Sequence, residues 1–333
     1  MHRISRMMIS AMAASGLWLM SAGQDMAVQE AGRMKNVILL TPAPREIIVE
    51  TPGEPAVETL SALSLPEMEP GRPEEALFPE ASDNVLETTI EGGMSIKNET
   101  GYFIDPGQML REGPGISLSA DGPQILIIHT HSSEAYTQAG LDRYLPSDTN
   151  RTEDTQFNIV RIGDELAEIL TDCGLKLIHD RGIYDYPSYT GSYTRSGEAI
   201  AEYLESYPSI KIVLDIHRDA LGSEGVVYKT MAEEEGVCAS QIMLLCGSDD
   251  SGLEHPDWRS NMGLALYLQS AAVQQHPTLM RPISLVRERY NQHLTPGSLI
   301  IEVGSSGNTL QEALAGVRLF GRAIGPALME LVQ

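Results

Sequence analysis

The chain has 333 residues, 42% of them hydrophobic, and a formal net charge of −23, so it has room for one or two domains with a well-buried core. Such an acidic surface repels phosphate, which argues against nucleic acid as a partner and fits poorly with adsorption to anionic lipid. The three cysteines, Cys173, Cys238 and Cys246, form no Cys-x-x-Cys pair and so give neither a disulfide framework nor a thiolate zinc site. Only a Cys238–Cys246 bond stays open, should their segments lie side by side.

At the N-terminus, His2, Arg3 and Arg6 precede an apolar stretch over 7–22, which Gln24 and Asp25 end. A short basic region followed by an apolar one is the arrangement of an export signal. As a helix the stretch would reach about 24 Å, against a hydrocarbon core of about 30 Å that can thin to meet it. Residues 1–23 are therefore read as a signal or membrane anchor, with cleavage near Ala22 or Gly23 as one outcome. Either way the rest of the chain is expected outside the cytoplasm; the rival reading is a frayed N-terminus of a cytoplasmic protein.

Prolines recur at 42, 44, 52, 55, 66, 70, 73 and 79, with glutamates between them and few bulky apolar residues. Such a segment cannot bury enough apolar surface to offset its ordering entropy, so 24–120 is expected to be a disordered acidic linker. A flexible coil of that kind has an end-to-end distance of about 50 Å, suited to holding a domain away from a membrane. The short runs 37–40 and 47–49 have the makings of small strands.

From Pro123 the pattern becomes regular and predicts one domain over 121–333. Strands are expected at 125–128, 175–178, 210–216, 226–231, 241–246 and 298–303. Helical spacing marks 157–170, followed by Gly174 at the capping position, and further helices at 195–206, 261–275 and 309–331. Alternating strands and helices predict an α/β fold, a mostly parallel sheet with helices on both faces.

Three of the apolar runs end in side chains suited to metal chemistry. One runs Ile125-Leu126-Ile127-Ile128 into His129, His131 and Glu134; another ends at His217-Arg218-Asp219; the third ends at Glu302. Ligands of open α/β sheets sit beyond the carboxyl ends of the strands. A catalytic zinc takes three His or carboxylate ligands and leaves a fourth position for water. His131, Glu134 and His217 would supply two imidazoles and a carboxylate, with His129 the competitor for the first position or an outer partner. Glu302, between Ile301 and Val303, would sit in a partly desolvated pocket, its pKa raised toward the range of a proton shuttle. Arg218 and Asp219 are placed to contact substrate or orient His217. Thr130, Ser132 and Ser133 lack a Gly-x-Ser-x-Gly elbow, which argues against a serine nucleophile. The loop tyrosines Tyr184, Tyr186, Tyr189 and Tyr193 are suited to stacking on sugar rings or to packing. His255-Pro256-Asp257-Trp258 reads as a binding loop or a hydrophobic staple.

The segments His129–Tyr136, Asn158–Asp164, Tyr189–Ser196, Asp215–Ala220, His255–Asn261, Arg289–Gln292 and Leu299–Asn308 together resemble, in order, the stage II sporulation protein P family of endospore-forming bacteria. The resemblance covers about 123–333. It implies an amidase-like α/β fold and a peptidoglycan hydrolase related to zinc-dependent N-acetylmuramoyl-L-alanine amidases, cutting the amide between glycan and stem peptide during engulfment. It also implies a cross-link-cleaving activity, a lytic transglycosylase partner and an association with membrane-anchored engulfment machinery. His131, His217 and Glu302 match the related amidases readily. Their middle ligand lies near the start of the first helix, so Glu153 stands as the alternative to Glu134. The rival functions are a peptidoglycan endopeptidase on the same Zn2+ centre and a non-catalytic wall-binding scaffold.

Overall fold

The computed structural model describes residues 37–40, 85–88 and 94–333, apart from 224 and 235. Twelve strands and five α-helices occupy them: β1 (Val37–Leu40), β2 (Val85–Thr88), β3 (Ile96–Asn98), α1 (Pro106–Glu112), β4 (Ile125–Ile128), α2 (Ile159–Asp172), β5 (Leu177–Asp180), α3 (Ser192–Ser206), β6 (Ile212–Asp219), β7 (Gly222–Ser223), β8 (Val226–Glu234), β9 (Val237–Ser240), β10 (Ile242–Cys246), α4 (Trp258–Gln275), β11 (Ile283–Leu285), β12 (Gly297–Ser305) and α5 (Leu310–Met329). Eight strands form the main sheet in the order β1-β5-β4-β6-β12-β10-β11-β3. The centre, β5-β4-β6-β12, is parallel throughout. β10 runs antiparallel to β12, and β1 antiparallel to β5, so the sheet is mostly parallel but mixed.

The central strands carry apolar runs, such as Ile125–Ile128 and Ile212–Leu214, because both of their faces are covered there. On β4, Ile125 and Ile127 join the large core beneath α2, α4 and α5, while Leu126 and Ile128 join a smaller cluster beneath α3. On β6 the same alternation sends Ile212, Leu214 and Ile216 to the large core and Val213 to the α3 side. Asp215 and His217 continue the α3 side. On β12, Leu299, Ile301 and Val303 face the large core, which turns Glu302 toward α3 as well.

Helix α2 starts where the Asn158 side chain accepts a hydrogen bond from the Val160 amide. It stops at Gly174, whose φ of +103° suits only glycine at low cost. The Gly174 amide donates to Thr171 O and the Leu175 amide to Leu170 O, the double closure of a Schellman motif. Between these ends α2 buries Ile159, Val160, Ile162, Leu166 and Leu170, each worth roughly 1.5–3 kcal/mol relative to exposure.

Two expectations are corrected and two open points are resolved. The ordered domain begins before residue 121: β3 and α1 precede it, Ile96, Ile104, Met109 and Ile116 pack on the core, and Leu118 is fully buried. The sequence there is poor in apolar residues, but most of those few pack on the core, while Phe103 stays exposed. The strand expected at 226–231 is longer, and it leaves the main sheet for a second one with β2, β7 and β9. The 241–246 run does enter the main sheet, but antiparallel. Cys238 is exposed and Cys246 buried, both as free thiols, so they do not pair. The runs 7–22 and 47–49 lie outside the described residues; among those described, no helix is long and apolar enough to cross a membrane.

Candidate active site

The site forms on the α3 side, at the carboxyl ends of β4, β6 and β12. In the parallel register of β6 and β12, His217 stands directly beside Glu302 and Asp215 beside Ile300. Adjacent strands lie about 4.8 Å apart, so the imidazole and the carboxyl share one patch of surface. Asp215 is also level with Ile128, the last residue of β4.

Beyond Ile128 the chain turns over residues 130–133. This turn separates the two histidines that an extended strand would keep on one face. His129 goes toward α2 and is fully buried: its Nδ1 donates to Ile216 O at 3.1 Å, and its Nε2 lies 2.8 Å from His179 Nε2. Beyond it, His179 Nδ1 lies 3.2 Å from Asp164 Oδ1. Both His129 nitrogens are thus committed within the protein, and burial together with His179 pushes its pKa down to about 3.

His131 goes the other way, toward His217. Their rings meet edge to face with centroids 5.2 Å apart. Tyr189 stacks on His131 at 4.5 Å, its hydroxyl 3.1 Å from Nε2, and Ser192 Oγ lies 3.3 Å from Nδ1. Burial and the neighbouring His217 push the His131 pKa down to about 4, leaving a neutral imidazole.

Glu134 closes the group, its Oε2 3.6 Å from His217 Nδ1. The Arg218 amide donates to that same oxygen at 3.2 Å, while Arg151 Nη2 reaches Oε1 at 3.4 Å. Burial pushes the Glu134 carboxyl up, but Arg218 and His217 outweigh it and hold the pKa at about 2. Glu153, the alternative at this position, is exposed.

His217 is buried between two carboxylates, with Nε2 3.0 Å from Asp215 Oδ1. That contact is short but poorly directed, leaving Nε2 without a well-aligned hydrogen bond. Burial disfavours the imidazolium, but Asp215 and Glu134 overcome it and raise the His217 pKa well above the ordinary value. Asp215 is itself held by Thr130, whose amide and hydroxyl donate to its two oxygens at 2.8 and 2.6 Å.

Glu302 has no such support, and its buried Oε2 has no hydrogen-bond partner. Burial pushes its carboxyl up to about 8; His217 and Arg218 pull against this, and Asp219 and Glu134 add to it. A carboxyl that takes up and releases a proton near neutral pH is suited to general acid–base work.

Arg218 and Asp219, expected to contact substrate or to orient His217, both make contacts within the protein. The buried Arg218 guanidinium donates to Ala135 O at 3.0 Å and Asn150 O at 3.1 Å, and stands 3.7 Å from Glu134. It therefore fixes Glu134 from behind. Asp219 accepts from Arg281 at 2.8 Å and from the Ala220 amide at 2.7 Å. The hydroxyls of Thr130, Ser132 and Ser133 are likewise committed, to Asp215, to His129 O and Gly182 O, and to Asp185.

Sequence reading missed several residues of this site. Asp215 was within reach of it, since it lies two residues before His217 on a strand and must share its face. Arg151 had no comparable signal: it binds Asp185 at 2.5 Å, reaches Glu134 and lies over the Tyr189 ring at 5.0 Å, contacts made only by folding.

Zinc ligation needs neutral imidazole and ionised carboxylate. Among the described residues, no three His, Cys, Asp or Glu side chains are already drawn together as a metal-holding group. The donor types are those zinc takes: His131 is neutral, Glu134 is ionised, and Glu134 Oε2 stands 3.6 Å from His217 Nδ1, the nitrogen on its side of the ring.

A Stage II sporulation protein P of Bacillus subtilis (strain 168) is 22% identical over 217 residues, which cover 61% of this chain and 50% of that protein. The chain thus matches half the length of that relative. Two solved structures are also similar. An N-acetylmuramoyl-L-alanine amidase of Nostoc punctiforme is 13% identical, with 63% of this chain and 97% of that one covered and a TM-score of 0.35. The CwlD amidase from Clostridioides difficile, solved in complex with the GerS lipoprotein, is 13% identical, with 62% and 98% covered and a TM-score of 0.37. The family model described as Stage II sporulation protein P matches residues 68–325, well over half of the sequence, and the chain belongs to that family.

Proposed function

We propose that the chain is a peptidoglycan hydrolase of sporulation, an N-acetylmuramoyl-L-alanine amidase that cleaves the amide between glycan and stem peptide. One observation carries the chemistry: Glu302, with a pKa of about 8, stands in register beside His217, which adjoins His131 and Glu134. Family membership supports the substrate class.

His131, Glu134 and His217 would hold Zn2+, with the cation taking the place of the proton that Asp215 and Glu134 now stabilise on His217. When bound, zinc supplies Lewis-acid polarisation of the amide carbonyl and acidifies water. Glu302 takes the proton from the attacking water and delivers it to the nitrogen as the C–N bond breaks. Such a group typically contributes about 10²–10⁴ in rate. Asp215 and Arg218 keep His217 and Glu134 in place, the outer support that metal ligands need. The apolar stretch over 7–22 supports export and tethering at the membrane, and the acidic surface is consistent with a wall rather than a nucleic-acid partner.

The test is digestion of purified sacculi by the full chain with zinc, followed by mass spectrometry of the products. Free stem peptides are expected, and their loss in Glu302→Gln and after chelation. Shortened peptides still attached to muramic acid would favour an endopeptidase on the same centre. No product from the zinc-loaded wild type would favour a wall-binding scaffold.

A further inference from the structure

The hydrolysis proposed above, on which this inference rests, leaves one requirement unassigned. As water adds to the amide carbon, negative charge builds on the carbonyl oxygen, and a fixed donor aimed at that charge is usually among the largest contributions to rate. The side-chain donors around His131 and His217 are mostly spent. Tyr189 and Ser192 hydroxyls contact His131, Thr130 serves Asp215, Arg151 serves Asp185 and Glu134, and Arg218 serves backbone carbonyls.

Tyr193 is different. It lies in the first turn of α3, with its ring edge-on to His131 at 5.4 Å and stacked over His217 at 6.5 Å. Its backbone is fixed from behind, since Asn291 Nδ2 donates to Tyr193 O at 2.8 Å. Tyr290 packs on its outer side at 5.3 Å, and does so from a φ of +50°, a conformation costly for an aromatic residue. The Tyr193 ring is thus held on three sides, yet its hydroxyl has no hydrogen-bond partner among the described residues. Half-buried rings usually place the phenolic oxygen on a partner.

We propose that Tyr193 is a further catalytic residue, its hydroxyl donating a hydrogen bond to the carbonyl oxygen of the scissile amide as the C–O bond to water forms. No proton is transferred by Tyr193; the water proton goes through Glu302 to the departing nitrogen, so the phenol remains neutral throughout. Its role is electrostatic.

Tyr193→Phe keeps the ring and removes only the oxygen. With sacculi and zinc, the expected result is a fall in kcat of about 10²–10³, the usual effect of removing one such donor, with KM within about threefold. Thermal stability should match wild type, because the lost hydroxyl has no protein partner. A Tyr193→Phe enzyme with kcat within threefold of wild type overturns the assignment, as does a defect confined to KM. If wild type itself releases nothing, the hydrolytic reading fails and takes this role with it; an active wild type beside an equally active Tyr193→Phe sinks the Tyr193 role alone.

Discussion

Gly163→Ala tests the buried histidines behind the site. On an exposed helix this change is favourable by about 0.8–1 kcal/mol. Gly163, however, faces the histidine pair: an added Cβ would stand 2.5 Å from His129 Nε2, 2.6 Å from its Cε1 and 2.6 Å from His179 Nε2. Neither ring can swing aside, because His129 is tied to Ile216 O and His179 lies against Asp164. Overpacking of this kind costs about 1–3 kcal/mol. Losing the 2.8 Å contact between the rings leaves buried polar nitrogens unpaired, for about 1–3 kcal/mol more. The opposing gain is smaller, so the net effect is a loss of about 3 kcal/mol. For a domain of this size that lowers Tm by about 6–12 °C. Denaturant titration followed by circular dichroism measures it, and the penalty should shrink in a His179→Ala background, where part of the clash is gone. Activity should fall too, because His129 holds the carbonyl of Ile216, next to His217. A Gly163→Ala variant as stable as wild type would refute the reasoning.

Other outcomes follow from the same contacts. Arg151→Ala strips the buried Asp185 of its cation and should cost about 3 kcal/mol, as broken buried pairs do; urea unfolding that shows less than about 0.5 kcal/mol would contradict it. Thr309 and Glu312 form a capping box at the start of α5, so Thr309→Ala should lose about 1 kcal/mol in the same assay. Burial and His293 push the pKa of His255 down to about 4. A lowered histidine pKa means that the unfolded chain binds the extra proton first, so this group costs stability as pH falls from about 6.5 toward 4, at up to about 1.4 kcal/mol per pH unit. Replacing it, as in His255→Gln, should flatten the stability curve in that window; an unchanged slope would count against the buried neutral imidazole. For the metal, equilibrium dialysis of His217→Ala should show at least tenfold weaker zinc binding than wild type.

Much of the fold was legible because its causes are local. Uninterrupted apolar runs such as 125–128 marked strands covered on both faces, and Asn158 and Gly174 bracket α2 with side-chain and backbone chemistry written in three or four residues. What escaped were elements whose reasons are distant. The 94–120 segment reads as linker by composition, yet β3 pairs with β11 and Leu118 enters the core. Trp258, part of the His255–Trp258 loop, is buried against Tyr102 at 4.8 Å, a partner far away in sequence.

The sequence by itself determined where residues suited to the proposed chemistry stand: histidines and glutamates at or just beyond the ends of apolar runs. Only the tertiary structure decided how they combine. The turn after Ile128 sends His129 into the α2 side and His131 to His217, a choice of one or two dihedrals that composition does not encode. Strand register set Glu302 beside His217, and burial there, rather than residue type, lifts its carboxyl to about 8. The same closure turned Arg218 inward to hold Glu134, because in a packed interior a guanidinium is fixed by the carbonyls that surround it.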